Sequence, residues 1–207
     1  MSLIQVTPPA AEPISLEDAR RRLHEDALGD PATSAHDPDI AAMIKAAREY
    51  LDGSSGILGR ALVPQTWELR LDGFPGCWGW TGGEAIDLPL PPLRSVEALT
   101  YLDTSGSSQT MPPEDYQVVG LGGTAAASIV PAFGKTWPST RLQPESVAVR
   151  FVCGYASGQI PEPIVGAMHL LIGHWFENRQ AVTIGLVSKA LELGVTAMVG
   201  PYRVQGF

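Results

Sequence analysis

Cysteine is scarce. The chain has two in 207 residues, Cys77 and Cys153. They lie far apart, in no metal-ligand spacing and no Cys-x-x-Cys pair, so they read as reduced thiols of core or strand. Charge is scarce too, at 17% of residues. That leaves little to cover a solvated surface, and an oligomer that hides part of it would explain the shortage. Basic residues are the rarer sign: 14 Lys and Arg stand against 22 Asp and Glu, for a net charge of −8. A free nucleic-acid binder presents a basic face, because phosphate contacts release counterions, so this balance argues against tight DNA binding. It suits a channel through which DNA slides without sticking, and equally an ordinary acidic protein. Long hydrophobic runs are missing. The longest, Ile164 to Phe176, carries His169 and His174 and is too short to span a bilayer. The first residues, MSLIQVTPPAAEPIS, have no basic stretch followed by an apolar run, so no secretory signal is expected. These absences together point to a cytoplasm-like setting with no membrane partner.

Apolar residues, by contrast, reach 44%, enough for a core of one domain with a sizeable insertion. Residues 1–13 are rich in Pro and Ala and read as extended. A first helix opens at Ser15, which can cap the free amides with Asp18 answering three residues on. Leu16, Ala19, Leu23 and Ala27 follow at helical spacing, and Gly29-Asp30-Pro31 stops the helix. A second helix is predicted from Asp37 as N-cap and Pro38 as first helical residue. Its stripe is Ile40, Met43, Ile44, Ala47 and Leu51, and Gly53 ends it. From about residue 60 the pattern changes to short runs between Pro- and Gly-rich turns. Strands are expected at 66–71, 85–88, 96–102, 116–119, 128–130 and 147–153, with a turn at Asp103-Thr104-Ser105-Gly106. Helix returns at Pro161, with Ile164, Ala167, Met168, Leu171, Trp175 and Phe176 covering most of its circumference. Such a helix is buried, centrally or between subunits. A short helix at 194–200 and a tail at 202–207 complete the chain. The fold class is therefore α+β: a small helical bundle of residues 1–60 and 154–207, with an inserted antiparallel sandwich- or barrel-like β domain of residues 61–153.

Catalytic patterns are weak throughout. His169 and His174 are five apart, which on a helix turns them roughly 140° from each other, whereas a zinc pair needs a spacing of four. Gly120-Leu121-Gly122-Gly123 lacks the Lys-Ser/Thr of a phosphate loop and reads as a hairpin tip. Gly53-Ser54-Ser55-Gly56 follows a helix, where a nucleophile elbow needs a strand. The acid pairs Glu17/Asp18, Asp37/Asp39 and Glu114/Asp115 lie at caps or turns, where acids have structural roles. No catalytic group, metal site or cofactor is expected. Trp78 and Trp80 form the one aromatic cluster that could bind a sugar or a host surface, although such residues more often fold back on a sheet. A carbohydrate-binding tail module and a hydrolase with an unrecognised site are the competing readings.

Several stretches, taken in order, resemble the phage head–tail connector (adaptor) family, also found in gene transfer agents. They are Ala46-Ala47-Arg48-Glu49-Tyr50-Leu51; Gln65-Thr66-Trp67-Glu68-Leu69; Leu88-Pro89-Leu90-Pro91-Pro92-Leu93-Arg94-Ser95-Val96 with Tyr101-Leu102-Asp103; and Trp137-Pro138. Gly154-Tyr155, His174-Trp175-Phe176-Glu177-Asn178-Arg179 and Pro201-Tyr202-Arg203-Val204 follow. Leu193 departs from the family pattern, which has proline before the glycine. The resemblance covers roughly residues 14–204. It implies a ring of about twelve copies between portal and tail, extending the DNA channel in the neck of a particle assembled in a bacterial cytoplasm. The implied partners are the chain itself, the portal protein, and tail or stopper proteins. DNA would pass without specific binding. Tyr202, Arg203, Val204 and Phe207 would form a portal-docking tail. Ile164, Met168, Leu171, Trp175 and Phe176 would form the helical core or the subunit interface.

Overall fold

The computed structural model describes residues 1–23, 36–76, 84–178 and 189–204. In order, its elements are β1 (Ser2–Thr7), α1 (Leu16–Arg22), α2 (Asp37–Leu51), β2 (Gln65–Leu71), β3 (Ile86–Leu88), β4 (Leu93–Leu102) and β5 (Ser108–Thr110). Then come β6 (Tyr116–Val119), β7 (Ala127–Pro131), β8 (Val147–Cys153), α3 (Glu162–Glu177) and α4 (Lys189–Val199). The chain divides into two compact units. One holds residues 1–10 and 64–155, and the other holds residues 11–63 and 156–206. The fold is α+β, and its β part consists of two open antiparallel sheets.

The larger sheet runs β1-β2-β8-β4-β5. Its centre is the β2–β8 pair, which sets Trp67 opposite Phe151, Leu69 opposite Val149 and Leu71 opposite Val147. Because side chains alternate across a strand, these residues share one face, and all but Leu71 are buried. The opposite face is polar. Glu68 accepts from Arg70 Nε at 2.8 Å and from Arg150 Nη2 at 2.8 Å. The Arg150 hydrogen bond, more than any other influence, holds the Glu68 carboxyl below its usual range. The β4–β5 turn is built on Asp103, whose Oδ1 accepts from the Ser105 and Ser107 amides at 2.9 and 3.0 Å. With the Ser105 hydroxyl and the Gln109 amide added, these bonds depress its pKa to about 2. The smaller sheet runs β3-β7-β6. Elsewhere in the same unit Trp137 stacks on Phe74 at 4.7 Å and donates to the Glu84 carbonyl at 2.6 Å.

Two strands escape sequence reading. The first ten residues, grouped above with the helices, supply β1, which pairs with β2 from Ser2↔Arg70 to Thr7↔Thr66. β5 is short and wholly exposed. β4 begins at Leu93, ahead of the expected 96, because bulges at Leu93/Ser95 and Val96/Ala98 break its alternation without ending its pairing to β8.

In the helical unit Ser15 caps α1 as expected: its Oγ accepts the Asp18 amide at 3.0 Å and its hydroxyl donates to Asp18 Oδ2 at 2.7 Å. α1 ends at Arg22 with Leu23 as its C-cap, and the expected stop at Gly29-Asp30-Pro31 lies outside the described residues. The α2 stripe Ile40, Met43, Ile44, Ala47 and Leu51 is buried throughout. Its cap needs correction. His36 is the N-cap, Asp37 is already helical and Pro38 is second, because the Asp37 carboxylate is engaged by the Arg20 guanidinium and not by the amides of α2. Gly53 does follow the helix in the left-handed region, at φ 77°. α3 packs against α1, α2 and α4. A Cβ on Gly166 would come within 2.7 Å of Met198 Cε, the far end of a flexible side chain that can move aside. α4 is longer than the expected 194–200.

Candidate functional site

Three surfaces are candidates for assembly contacts. The first is the C-terminal segment. After α4 a 3-10 turn covers Gly200–Tyr202. Val204 N donates to the Leu58 carbonyl at 2.8 Å, and the buried Arg60 donates from Nε to the Tyr202 carbonyl at 2.6 Å. The loop beneath is built to receive it. Asp52 Oδ1 accepts the Leu62 amide at 2.7 Å. A Cβ on Gly56 would collide with the Asp52 carbonyl at 2.3 Å. Gly59, at φ 62°, would bring one within 3.1 Å of the Val204 carbonyl. Of the expected docking residues, Tyr202 and Val204 are half-buried, Arg203 is exposed, and Phe207 lies outside the described residues.

The second surface belongs to α3. Ile164, Met168 and Leu171 are fully buried and Trp175 is 3% exposed. They therefore form the core within a single copy, where an apolar helix meets three neighbours. Phe176 is half-buried and stands edge-on to His36 at 5.9 Å. Leu170 and Leu193 face outward. Between α1 and α3 lies a cleft of about 710 Å³ walled by Pro13, Ile14, Val165 and Gly166. Asp18, Arg21, Arg22 and Glu162 rim it, and His169 also lines it. His169 Nδ1 is buried without a hydrogen-bond partner. Burial foremost, then the Arg22 charge, pushes the imidazole below the usual histidine range, while Asp18 and Glu162 pull the other way. His174 sits instead beside Asn178, ring Nδ1 to Nδ2 at 3.3 Å. Among the described residues no group of three His, Cys, Asp or Glu could hold a metal ion. Nor is any helix there long and apolar enough to cross a membrane.

The third surface is on the β unit. Gly120 and Gly122, both left-handed, form the tip of the β6–β7 hairpin, where Val119 and Leu121 are exposed. At the hairpin's other end Phe133 is 100% exposed. Sequence reading passed over it because a lone aromatic in a turn adds nothing to a periodic pattern. Its signal was the aromatic immediately before Gly134. Cys77 lies outside the described residues, as do Trp78 and Trp80, on which the sugar-binding reading rests. Cys153 is buried, with its Sγ 3.8 Å from the Gln65 carbonyl oxygen.

No family model and no curated protein matches the chain. Solved structures do. A chain in a structure of the virion of a native gene transfer agent (GTA) particle aligns with TM-score 0.72 at 22% identity, over 100% of this chain and 97% of that one. A chain from the neck of an empty GTA particle, computed with C6 symmetry, gives 0.71 at 23% identity with the same coverage. One from the neck of a native GTA particle, computed with C12 symmetry, gives 0.62 at 21% identity, again over 100% and 97%. At this identity the likeness establishes a shared fold that includes both units.

Proposed function

We propose that this protein is a structural head–tail connector subunit in the neck of a gene transfer agent or phage particle, and not an enzyme. The observation that carries the reading is the fold likeness to GTA neck and virion chains, over 100% of this chain and 97% of each of those. The cyclic symmetry of those necks supports a closed ring of about twelve copies, placed between the portal and the tail or stopper proteins. An excess of acids over bases suits the wall of a channel that DNA must traverse without adhering. The C-terminal segment from Gly200 is the element proposed to reach the portal. Its attachment to the 52–62 loop rests on a few hydrogen bonds and half-buried side chains, which a stronger partner contact could replace. Averaged images of the neck from particles carrying a tagged copy test the reading. A ring of this chain below the portal is expected, and a neck without it would remove the central claim.

A further inference from the structure

We infer that Phe133 is the knob of the contact between neighbouring copies, seated in the α1–α3 cleft of the next copy with Lys135 facing Glu162. The inference rests on the ring reading above. Copies related by rotation about one axis meet through two different surfaces of the same chain, so a ring needs both a projecting and a receiving element.

The projecting element is unusual. Turns are ordinarily made of Gly, Pro, Asn, Asp and Ser, yet the turn after β7 places a phenylalanine wholly in solvent. The turn is closed by Lys135 N donating to the Ala132 carbonyl at 2.8 Å, with Gly134 left-handed at φ 77°. Ala132 N in turn donates to the Asp115 carbonyl at 3.0 Å, and Lys135 Nζ lies 3.2 Å from Asp115 Oδ1. The ring is thus presented from a fixed platform, and little backbone freedom is left to lose on binding. Aromatic side chains held this way are the typical anchors of protein interfaces.

The receiving element is a cleft of mixed lining. Pro13, Ile14, Val165 and Gly166 supply its apolar part beside His169, and the exposed Asp18, Arg21, Arg22 and Glu162 its charged part. On the rim, Asp18 is engaged by Ser15 and Arg21, whereas Glu162 makes no ion pair among the described residues. Lys135, two residues beyond the knob, keeps more than half of its side chain in solvent and can answer that carboxylate.

The test uses the full chain in assembled particles, with the photoreactive residue p-benzoylphenylalanine at position 133. After irradiation, mass spectrometry should find position 133 joined to residues 13–22 or 162–169 of a second copy. A crosslink to another surface of this chain, to a different neck protein, or to nothing in particles whose images contain the ring overturns the inference and leaves the ring standing. Particles without a ring overturn both. Charge reversal is an independent check. Lys135→Glu and Glu162→Lys should each lower ring incorporation about tenfold, and the double variant should recover it. No recovery would mean that these two residues do not meet. Circular dichroism should be unchanged in all three variants, since both residues are exposed.

Discussion

The helical unit and the β unit handle large apolar side chains differently. The most hydrophobic segment of the chain, α3, is expected from sequence to be buried, either centrally or between subunits. The structure covers most of it within one copy, with Ile164, Met168, Leu171 and Trp175 enclosed by α1, α2 and α4 and Leu170 left outside. The β unit leaves Phe133, Leu142, Leu121 and Val119 outside. Hydrophobicity of a segment therefore says how much area must be buried. Only the packing says whether the same copy buries it.

The contrast can be broken most forcefully at Trp175. Trp175→Ala should destabilise the protein by about 3–5 kcal/mol, the usual cost of emptying a buried aromatic site, read as a large fall in melting temperature. Trp175→Phe should cost clearly less, because the indole Nε1 has no hydrogen-bond partner to lose. An unchanged melting temperature for the alanine variant would mean that α3 faces solvent. Truncation after Val199 ranks next. It removes the Val204–Leu58 and Arg60–Tyr202 bonds, at a cost of about 1–3 kcal/mol. The shortened protein should fold yet fail to join portal-bearing heads in an assembly assay. Normal assembly would end the docking proposal, and failure to fold would make the segment part of the core.

A smaller effect is expected from pH. The folded state holds His169 below its ordinary range through burial and the Arg22 charge, so the folded protein favours the neutral imidazole. That preference costs nothing above the ordinary histidine range. Stability is lost as pH falls through that range toward the depressed folded value. Denaturant titrations at descending pH should show this decline, and His169→Gln should flatten it. A parent curve already flat there would refute the assignment. The smallest stability effect belongs to Phe133→Ser, which should stay within about 0.5 kcal/mol because the side chain touches solvent alone. A drop of several degrees in melting temperature would show that Phe133 packs within its own unit, and the contrast between the units would be lost.

Where a pattern depends on neighbours in sequence, the amino-acid order settled the outcome. The α2 stripe, the Ser15 cap, the Asp103 turn, and the bounds of β6 and β8 follow from 3.6- and 2-residue periods and from side chains that bond their own backbone. The change from helical to strand-forming segments after α2, and back to helix at α3, was legible for the same reason. Where the deciding partner lies far along the chain, only tertiary structure could choose. β1 is a strand because β2, far along the chain, offers an open edge to pair with, from Ser2↔Arg70 to Thr7↔Thr66. Asp37 gives up its cap to Arg20 across a gap of 17 residues. Tyr202 is held to a loop 142 residues back by Arg60. Local propensities are worth a few tenths of a kcal/mol to about one each, and a single long-range pairing or packed side chain outweighs them. Sequence therefore set which segments are helical or extended, and the tertiary contacts decided which faces are buried and which remain for a partner.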